Sequence, residues 1–268
     1  MKLAEVVEKA RPITQIARKA KILFLDIETL PNISYTWGKY EQNVIAFKQE
    51  GCLATYAAKW AGGRVFSKSL PDYEDYKAGS YDDSKLTADL WALFDEAEII
   101  VAHNGDQFDI KKTNARFLFH RLQPPSPYKT VDTKKMAKRV ARFNSNKLDD
   151  LGEHLGEGRK LKTDFELWLG CINGDKKSWS KMCRYNERDV ILLEKVYTRL
   201  LGWSKNHPNL GTMAGEFCCP KCGSKAMKSH GMQFTTTMKY RRLQCQNCGG
   251  WSRENINGFK PSIYSNAQ

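Results

Sequence analysis

The stretch Ile22–Thr29 runs four apolar residues directly into two carboxylates, those of Asp26 and Glu28. Side chains at positions i and i+2 of a strand point to the same face, so a strand here would project both carboxylates together. Two like charges at the end of a buried strand need strong compensation, and a divalent cation with oxygen ligands, Mg²⁺ or Mn²⁺, supplies it. The pattern therefore indicates a metal site. The alternative is that one carboxylate caps the next turn and the other is solvated.

A second carboxylate follows another buried strand. Residues 99–102 are apolar throughout and lead into His103 and Asn104, after which a helix is predicted to begin near Asp109. Asp109 is either a further metal ligand or a cap, because the N-terminus of a helix favours a carboxylate. His103 is expected to be packed or hydrogen-bonded rather than to bind a metal.

A third segment lies on a long helix predicted for residues 178–201. Tyr185 and Asp189 are spaced i, i+4 and therefore share a face of that helix. A phenol and a carboxylate in this register can reach the same place as the first two carboxylates. The alternative is that Tyr185 belongs to the core and that Asp189 pairs with Arg184 or Lys195.

The cysteines predict a second metal site of a different kind. Four of the eight form the pairs Cys219-x2-Cys222 and Cys245-x2-Cys248, which are separated by 22 residues. This spacing is a strong signature of a structural zinc site with four cysteine ligands. Cys218 could replace Cys219, although the x2 spacing favours Cys219. The remaining cysteines are scattered among apolar residues, which indicates a reduced, cytoplasmic protein.

Charge and length restrict the classes of function. The chain has 268 residues, enough for one domain and a small second one, and its net charge is +13. Such an excess favours a polyanionic partner, most simply nucleic acid. The segment 203–268 holds nine basic and two acidic residues and is the more basic part for its length. No apolar run approaches the roughly 18–20 residues of a membrane span, and residues 1–20 lack a secretory apolar core. We therefore expect neither a membrane partner nor export.

The elements that must position these residues follow from the apolar periodicity. Strands are predicted at 21–27, 35–37, 44–47, 52–60, 64–69 and 99–102, and helices at 84–96, 109–122, 131–142, 148–155, 163–169 and 178–201. The residues around Gly62 carry a hairpin signal. Residues 1–20 read as a basic arm or helix, and residues 203–215 as a linker. This alternation of strands and helices predicts an α/β domain over residues 21–202, followed by a small module over 216–268.

The three carboxylate segments, the second of which reads Asn104-x3-Phe108-Asp109, resemble the DEDD exonuclease superfamily in its tyrosine subgroup. Their order along the chain matches, as do their settings at a strand end, a strand-to-helix turn and a helix. The resemblance covers about residues 21–201, and the segment 132–155 looks like stand-alone members in phage and bacterial genomes. It implies a ribonuclease H-like mixed sheet flanked by helices and 3′-5′ exonuclease activity.

The resemblance also assigns catalytic roles. It implies two Mg²⁺ or Mn²⁺ ions, and their ligands would be Asp26, Glu28, Asp109 and Asp189. Two such ions activate a water molecule and neutralise charge at the phosphate. Tyr185 would orient that water through a hydrogen bond, because a phenol with a pKa of about 10 is a poor base at neutral pH.

Substrate contacts are implied on either side of these ligands. Thr29 and Leu30 follow the first motif and would wedge against the terminal bases. Asn104 and Phe108 would shape the same pocket. Asp132 is a further acidic residue near the site, for which a structural role is the expectation.

The cysteine-rich tail resembles a zinc ribbon, since the β-prone stretch 233–243 separates the two cysteine pairs as a ribbon hairpin requires. One structural Zn²⁺ is implied. Basic residues here could meet phosphates while aromatic residues stack on bases, and the candidates are Lys239, Arg241, Arg242, Phe234, Tyr240 and Trp251. The alternative is that the zinc only folds a module too small for a core of its own.

The leading interpretation is a metal-dependent 3′-5′ exonuclease that acts on single-stranded DNA by a two-metal-ion mechanism and releases 5′-mononucleotides. One alternative is a 3′-5′ exoribonuclease. Another is a non-catalytic nucleic-acid-binding module, or a proofreading subunit that works with a separate polymerase or other replication protein. The expected location is the cytoplasm, that of the host if a phage encodes the chain.

Overall fold

The structure is a computed structural model that describes residues 20–40, 43–215 and 217–255. Its strands are β1 (Ile22–Thr29), β2 (Ile33–Tyr35), β3 (Ala46–Gln49), β4 (Leu53–Trp60), β5 (Val65–Ser69), β6 (Ile99–Ala102), β7 (Lys129–Asp132), β8 (Met227–Phe234), β9 (Lys239–Cys245) and β10 (Trp251–Asn255). Its α-helices are α1 (Ser84–Glu96), α2 (Asp109–Phe119), α3 (Thr133–Val140), α4 (Leu148–His154), α5 (Phe165–Ile172), α6 (Lys176–Leu201) and α7 (Leu210–Ala214). The predicted N-terminal arm lies, except for Ala20, outside the described residues.

Strand β1 is the central strand of a five-stranded sheet with the order β5-β4-β1-β6-β7. It pairs antiparallel with β4 and parallel with β6, and β6 is parallel to β7. The predicted hairpin of β4 and β5 is present and forms one edge of this sheet. A mixed sheet flanked by helices confirms the predicted α/β class.

Alternate residues of β1 enter two separate cores. Ile22 and Phe24 pack with α3, α4 and the C-terminal half of α6, whereas Leu23 and Leu25 pack with α1 and the N-terminal half of α6. Because the side chains of a strand alternate with period two, Asp26 continues the face of Ile22 and Phe24. The carboxylates at the end of β1 therefore point to the side on which the middle of α6 crosses the sheet.

Helix α6 has 26 residues and presents one continuous buried face to the sheet. Asp175 caps its N-terminus by accepting hydrogen bonds from the backbone N–H groups of Lys177 (3.3 Å) and Ser178 (2.9 Å). Further along, Tyr197 packs edge-on against Phe24 of β1 at a ring-centroid distance of 5.3 Å. The helix is thus capped at its N-terminus and packed against β1 near its C-terminal end.

Two segments differ from the sequence prediction. Residues 131–142 do not form one helix, because 129–132 form edge strand β7 and Asp132 caps the following α3 by accepting from the backbone N–H of Lys134 at 2.9 Å. The β-prone runs around residues 35 and 47 pair with each other as β2 and β3 and form a separate two-stranded sheet.

The C-terminal module is an antiparallel sheet of order β10-β9-β8 that contacts the end of α6. The segment predicted as a linker contains helix α7, and the buried Leu210 of this helix donates its backbone N–H to the carbonyl of Pro220 at 2.9 Å. The Lys221 ammonium also donates to the carbonyl of Gly202 at 2.6 Å. The module is therefore attached by contacts as well as by the chain. Among the described residues, no helix combines the length and apolarity that a membrane crossing requires.

Candidate active site

Carboxylates from β1 and α6 meet at one point of the sheet. Ligand oxygens of Asp26, Glu28 and Asp189 all lie within 4.8 Å of one another. Asp189 is fully buried, and its Oδ1 has no hydrogen-bond partner among the described residues. Asp189, which is 161 positions after Glu28 in the sequence, thus joins the two β1 residues in one acidic cluster, which we call the carboxylate cluster.

Asp109 lies beside this cluster. It is the first residue of α2, is only 2% exposed, and its Oδ1 accepts a hydrogen bond of 3.1 Å from the backbone N–H of Ile27. Ile27 stands between the two acidic residues of β1, so the fourth carboxylate is held directly against the strand that carries them. Asp109 also sits where a helix N-terminus favours negative charge.

Two residues that the sequence analysis did not single out complete the site. The Asn186 side-chain amide donates to Asp26 Oδ2 at 2.6 Å. The Lys160 ammonium, from the loop between α4 and α5, forms an ion pair with Asp189 and lies 5.0 Å from the centre of the Tyr185 ring. Asn186 could have been found, because it is three positions before Asp189 and so shares its helix face. The loop that holds Lys160 carries no periodic signal.

The ion partners that the sequence offered as an alternative for Asp189 are engaged elsewhere. Arg184 donates to the carbonyl of Ser180 at 3.3 Å, and Lys195 donates to the carbonyl of Glu157 at 3.3 Å. Tyr185 is 9% exposed and packs in the core while its ring faces Lys160. It therefore combines a core position with a place at the site.

The cluster is electrostatically strained. Burial raises the pKa of Glu28 to about 7. The positive charge of Lys160 lowers this pKa, whereas the negative charges of Asp189 and Asp109 raise it further. Burial likewise raises the pKa of Asp109 to about 7, although the hydrogen bond from Ile27 opposes this shift. Burial, followed by the charges of Asp109, Glu28 and Asp189, raises the pKa of Asp26 well above its usual value. These carboxylates are poised to exchange protons for a cation.

Lys160 is the positive counterpart of the cluster. Burial alone would lower its pKa, but the charge of Asp189 and hydrogen bonds to Asp189 and Tyr185 offset burial and raise it. Burial and then the charge of Asp189 raise the pKa of Tyr185 to about 12. A phenol with this pKa stays protonated at neutral pH and is able to donate a hydrogen bond.

The donor set fits Mg²⁺ or Mn²⁺. The ligating atoms are all carboxylate oxygens, the kind that these cations prefer. The buried, unpartnered Oδ1 of Asp189 is an acceptor that needs a partner. Among the described residues, Lys160 is paired with the carboxylate cluster, while Asp109 adds a further negative charge beside it. A divalent cation would relieve the remaining repulsion.

The residues proposed to contact substrate occupy different environments. Thr29 is half-buried, and its carbonyl accepts from the Trp168 indole at 3.2 Å. Phe108 is 38% exposed and immediately precedes Asp109. Leu30, in contrast, is 2% exposed and packs in the core, so its side chain is not available to wedge against a base. The expectation that Leu30 contacts a base is therefore wrong for its side chain.

Asn104 and its neighbours form a supporting network. Asn104 adopts a left-handed backbone with φ of 64°, and its N–H donates to Asp132 Oδ1 at 3.0 Å. The same Asp132 oxygen caps α3, in keeping with the structural role expected for it. His103 contacts Thr133 Oγ1 at 2.8 Å and the carbonyl of Asn146 at 2.9 Å, so it is a packed, hydrogen-bonded histidine.

The four predicted zinc ligands form a second cluster. The Sγ atoms of Cys219 and Cys248 are 3.7 Å apart, and those of Cys222 and Cys245 are 3.5 Å apart. A tetrahedral zinc site with Zn–S bonds of about 2.3 Å requires sulfur atoms separated by about 3.8 Å. All four cysteines are free thiols within 4.8 Å of one another, which is compatible with a zinc ribbon. Cys218 is not part of this cluster.

The backbone of both cysteine pairs forms the same tight turn. Gly223 and Gly249, which follow the pairs, have φ of 69° and 70° and donate their N–H groups to the carbonyls of Cys219 (2.7 Å) and Cys245 (3.0 Å). These matching turns point both sulfur atoms of each pair to one side. The left-handed φ explains why glycine occupies both positions.

Basic residues of the module lie close to aromatic rings. Lys239 lies 5.6 Å from the Phe234 ring, and Arg242 lies 5.2 Å from the Trp251 ring. Phe234 and Trp251 are both exposed, whereas Arg241 forms an ion pair of 3.3 Å with Glu254. Two of the three predicted basic contacts are therefore paired with an accessible aromatic surface.

The raised pKa values predict an unusual stability profile. In the metal-free protein, Glu28 and Asp109 bind protons more tightly when folded than when unfolded. Their favourable contribution to the free energy of unfolding is therefore fully present below about pH 4 and is lost as pH rises through 7. Above that pH, the buried charges destabilise the folded state. An Asp109→Asn variant keeps an oxygen for the Ile27 N–H but removes one buried charge. We expect its metal-free form to melt roughly 4–8 °C higher than wild type at pH 8.

Thermal denaturation in EDTA at pH 5 and pH 8 measures this effect. The difference between the Asp109→Asn variant and wild type should shrink at pH 5, where the carboxyl of Asp109 is protonated in the folded wild type. A metal-free Asp109→Asn variant that melts below wild type at pH 8 would contradict the electrostatic description of the cluster.

Comparison with known proteins agrees with this architecture. The model of the RNase H superfamily matches residues 59–201, a range that is more than half of the chain and includes Asp109, Tyr185 and Asp189. No protein among those with curated descriptions matches the chain. A solved structure, the family B DNA polymerase from the hyperthermophilic archaeon Pyrobaculum calidifontis, is similar with a TM-score of 0.50 and 14% identity over 81% of this chain. The match spans 31% of the polymerase, about a third of its length. The chain belongs to the RNase H superfamily.

Proposed function

We propose that this chain is a metal-dependent 3′-5′ exonuclease that hydrolyses phosphodiester bonds at the 3′ end of single-stranded DNA. The observation that carries the proposal is the convergence of Asp26, Glu28 and Asp189 within 4.8 Å, with Asp109 held against the same strand. The polarity rests on the resemblance of these residues, together with Tyr185, to the DEDD exonucleases. Membership in the RNase H superfamily supports nuclease chemistry.

The four carboxylates would hold two Mg²⁺ or Mn²⁺ ions. When bound, such ions lower the pKa of a water and neutralise charge on the phosphate. Asn186 holds Asp26 in place through its 2.6 Å hydrogen bond. Tyr185 remains a hydrogen-bond donor and orients the attacking water. Lys160 adds a permanent positive charge beside Asp189, where the phosphate's negative charge must be compensated.

The C-terminal module would bind the substrate strand outside the active site. Lys239 and Arg242 would contact phosphates, and the exposed rings of Phe234 and Trp251 beside them would stack on bases. Arg241, which is paired with Glu254, contributes less free charge. The zinc would be structural, because four cysteines leave no open coordination position.

One assay tests this proposal. Strands of DNA and RNA with a 5′ label, single or double stranded, are incubated with Mg²⁺, Mn²⁺ or EDTA. We expect single-stranded DNA to give a ladder of labelled products that shorten by one nucleotide at a time, and EDTA to abolish it. Immediate release of a labelled mononucleotide, or no cleavage with either metal, would refute the proposal. A ladder with RNA alone would assign the chain as an exoribonuclease.

A further inference from the structure

The β2-β3 hairpin is an apolar arm without a core of its own. Every described residue in 32–40 and 43–50 is exposed, and the two strands pair only with each other among the described residues. The exposed apolar side chains are Ile33, Tyr35, Trp37, Tyr40, Val44, Ile45 and Phe47. Trp37 is 91% exposed and Tyr40 74%. Exposed apolar patches of this kind are typical of binding sites, because monomeric soluble proteins rarely expose large contiguous apolar surfaces.

The base of the arm is held firmly. The N–H of Leu30 donates to the carbonyl of Cys52 at 2.9 Å, and the N–H of Gly51 donates to Asn32 Oδ1 at 2.6 Å. A Cβ atom at Gly51 would come within 2.4 Å of the Leu30 carbonyl oxygen, so glycine is required at the base of the hairpin, where its two chain segments approach each other. The arm is thus anchored at its base, and its described residues beyond the base are exposed.

The anchor lies at the carboxylate end of β1. In the β1-β4 ladder, Glu28 is opposite Thr55 and Thr29 is opposite Leu53, and the hairpin connects the ends of these two strands. Phe108, next to Asp109, and Leu161, next to Lys160, are also exposed apolar residues beside the site. Accessible apolar side chains therefore flank the cluster on several elements.

We propose that the β2-β3 hairpin binds the single-stranded part of the nucleic acid whose end occupies the carboxylate cluster, and that its aromatic side chains stack on bases. This inference rests on the proposed function. Aromatic rings with a nearby cation are the general means by which proteins bind single strands without sequence preference. The segment 37–40 has this composition, because Lys39 lies between Trp37 and Tyr40 and its ammonium is 5.4 Å from the Tyr40 ring.

The proposal is tested by binding, without hydrolysis. The full chain in EDTA is titrated onto a fluorescent single strand of twelve thymidine nucleotides and onto a strand of equal length made of abasic sugar phosphates. We expect the double variant Trp37→Ala/Tyr40→Ala to bind the thymidine strand about 10- to 100-fold more weakly than wild type. Its affinity for the abasic strand should equal that of wild type, because that strand has no bases to stack.

A matched control is Phe119→Ala, which removes an aromatic ring that is 65% exposed at the far end of α2. Its affinity should be unchanged. Equal weakening of the Trp37→Ala/Tyr40→Ala variant on both strands, or no weakening at all, would overturn the proposal. A change of oligomeric state with unaltered affinity would assign the arm to a second copy of the chain and would also overturn it.

Parallel hydrolysis assays separate this proposal from the proposed function. If wild type degrades the thymidine strand with Mn²⁺ but the hairpin variant binds normally, the hairpin proposal fails and the nuclease stands. If wild type degrades nothing and the hairpin variant still loses base-dependent affinity, the nuclease fails and the binding arm stands. Because both replaced side chains are exposed, the variant should melt at the wild-type temperature.

Discussion

An Asp26→Asn variant is expected to lose at least about 10³-fold in the rate of hydrolysis at saturating substrate. Asp26 is the residue on which the cluster converges, since it lies within reach of Glu28 and Asp189 and accepts a hydrogen bond from Asn186. Asparagine keeps the shape and one acceptor oxygen but removes the charge that holds a cation. Asp189→Asn should have a similar effect, because Asp189 contributes the ligand oxygens that come from α6.

Substrate binding should survive both replacements, so the loss is expected in the catalytic rate and not in affinity. Glu74→Gln is a suitable control, since Glu74 is an exposed carboxylate in the loop before α1. The comparison is made from single-turnover rates with Mn²⁺ for the variants and the wild type. Activity of Asp26→Asn within tenfold of wild type would remove Asp26 from the site.

A Cys219→Ser variant is expected to lose the single bound zinc and to unfold the C-terminal module. Metal binding is a large part of the folding free energy of a small four-cysteine module, on the order of 10 kcal/mol in zinc-finger peptides. Since the module packs on the end of α6, its loss should also lower the melting temperature of the α/β domain by a few degrees. Weaker substrate binding should follow, with a raised KM and a nearly unchanged kcat on saturating substrate.

Cys218→Ser is the matched control, because Cys218 is adjacent in sequence and lies outside the four-cysteine cluster. Elemental analysis should give one zinc per chain for this control and less than about 0.1 for Cys219→Ser. Limited proteolysis should cut only the Cys219→Ser variant between residues 216 and 255. If Cys219→Ser retained zinc and Cys218→Ser lost it, Cys218 would be the ligand in place of Cys219. Unchanged affinity of Cys219→Ser for substrate would refute a binding role for the module.

Local patterns were sufficient to predict the elements that carry the carboxylates. The i, i+2 spacing on an apolar strand predicts that Asp26 and Glu28 share a face of the strand. The i, i+4 spacing predicts that Tyr185 and Asp189 share a face of the helix. Both patterns depend only on backbone periodicity, which the sequence displays directly. The two C-x2-C pairs likewise predict a cluster because each pair is itself a local turn.

Features that depend on tertiary packing were not predictable in this way. Lys160 reaches Asp189 from a loop with no periodicity, and its position depends on how α4 and α5 pack against α6. Leu30 adjoins the first motif but turns into the core. Edge strand β7 is only four residues long and merges into the capped start of α3, so its pattern is too short to distinguish from a helix.

The hairpin of β2 and β3 illustrates the same limit. Its β-prone residues were visible in the sequence, but alternating apolar residues normally predict a strand packed on a core. The structure instead leaves both of its faces exposed. A local pattern can indicate a strand, whereas only the fold reveals that nothing in the described chain covers it.

The most direct test of the divalent-metal site is the binding of Mn²⁺ to the zinc-loaded chain of residues 1–268, measured by isothermal titration at pH 8. We expect two saturable Mn²⁺ sites per chain in the wild type, and their loss in the double variant Asp26→Asn/Asp189→Asn, while the zinc content stays unchanged. Wild-type protein that takes up no Mn²⁺, or a double variant that binds it as tightly as wild type, would contradict the claim that these carboxylates form a divalent-metal site.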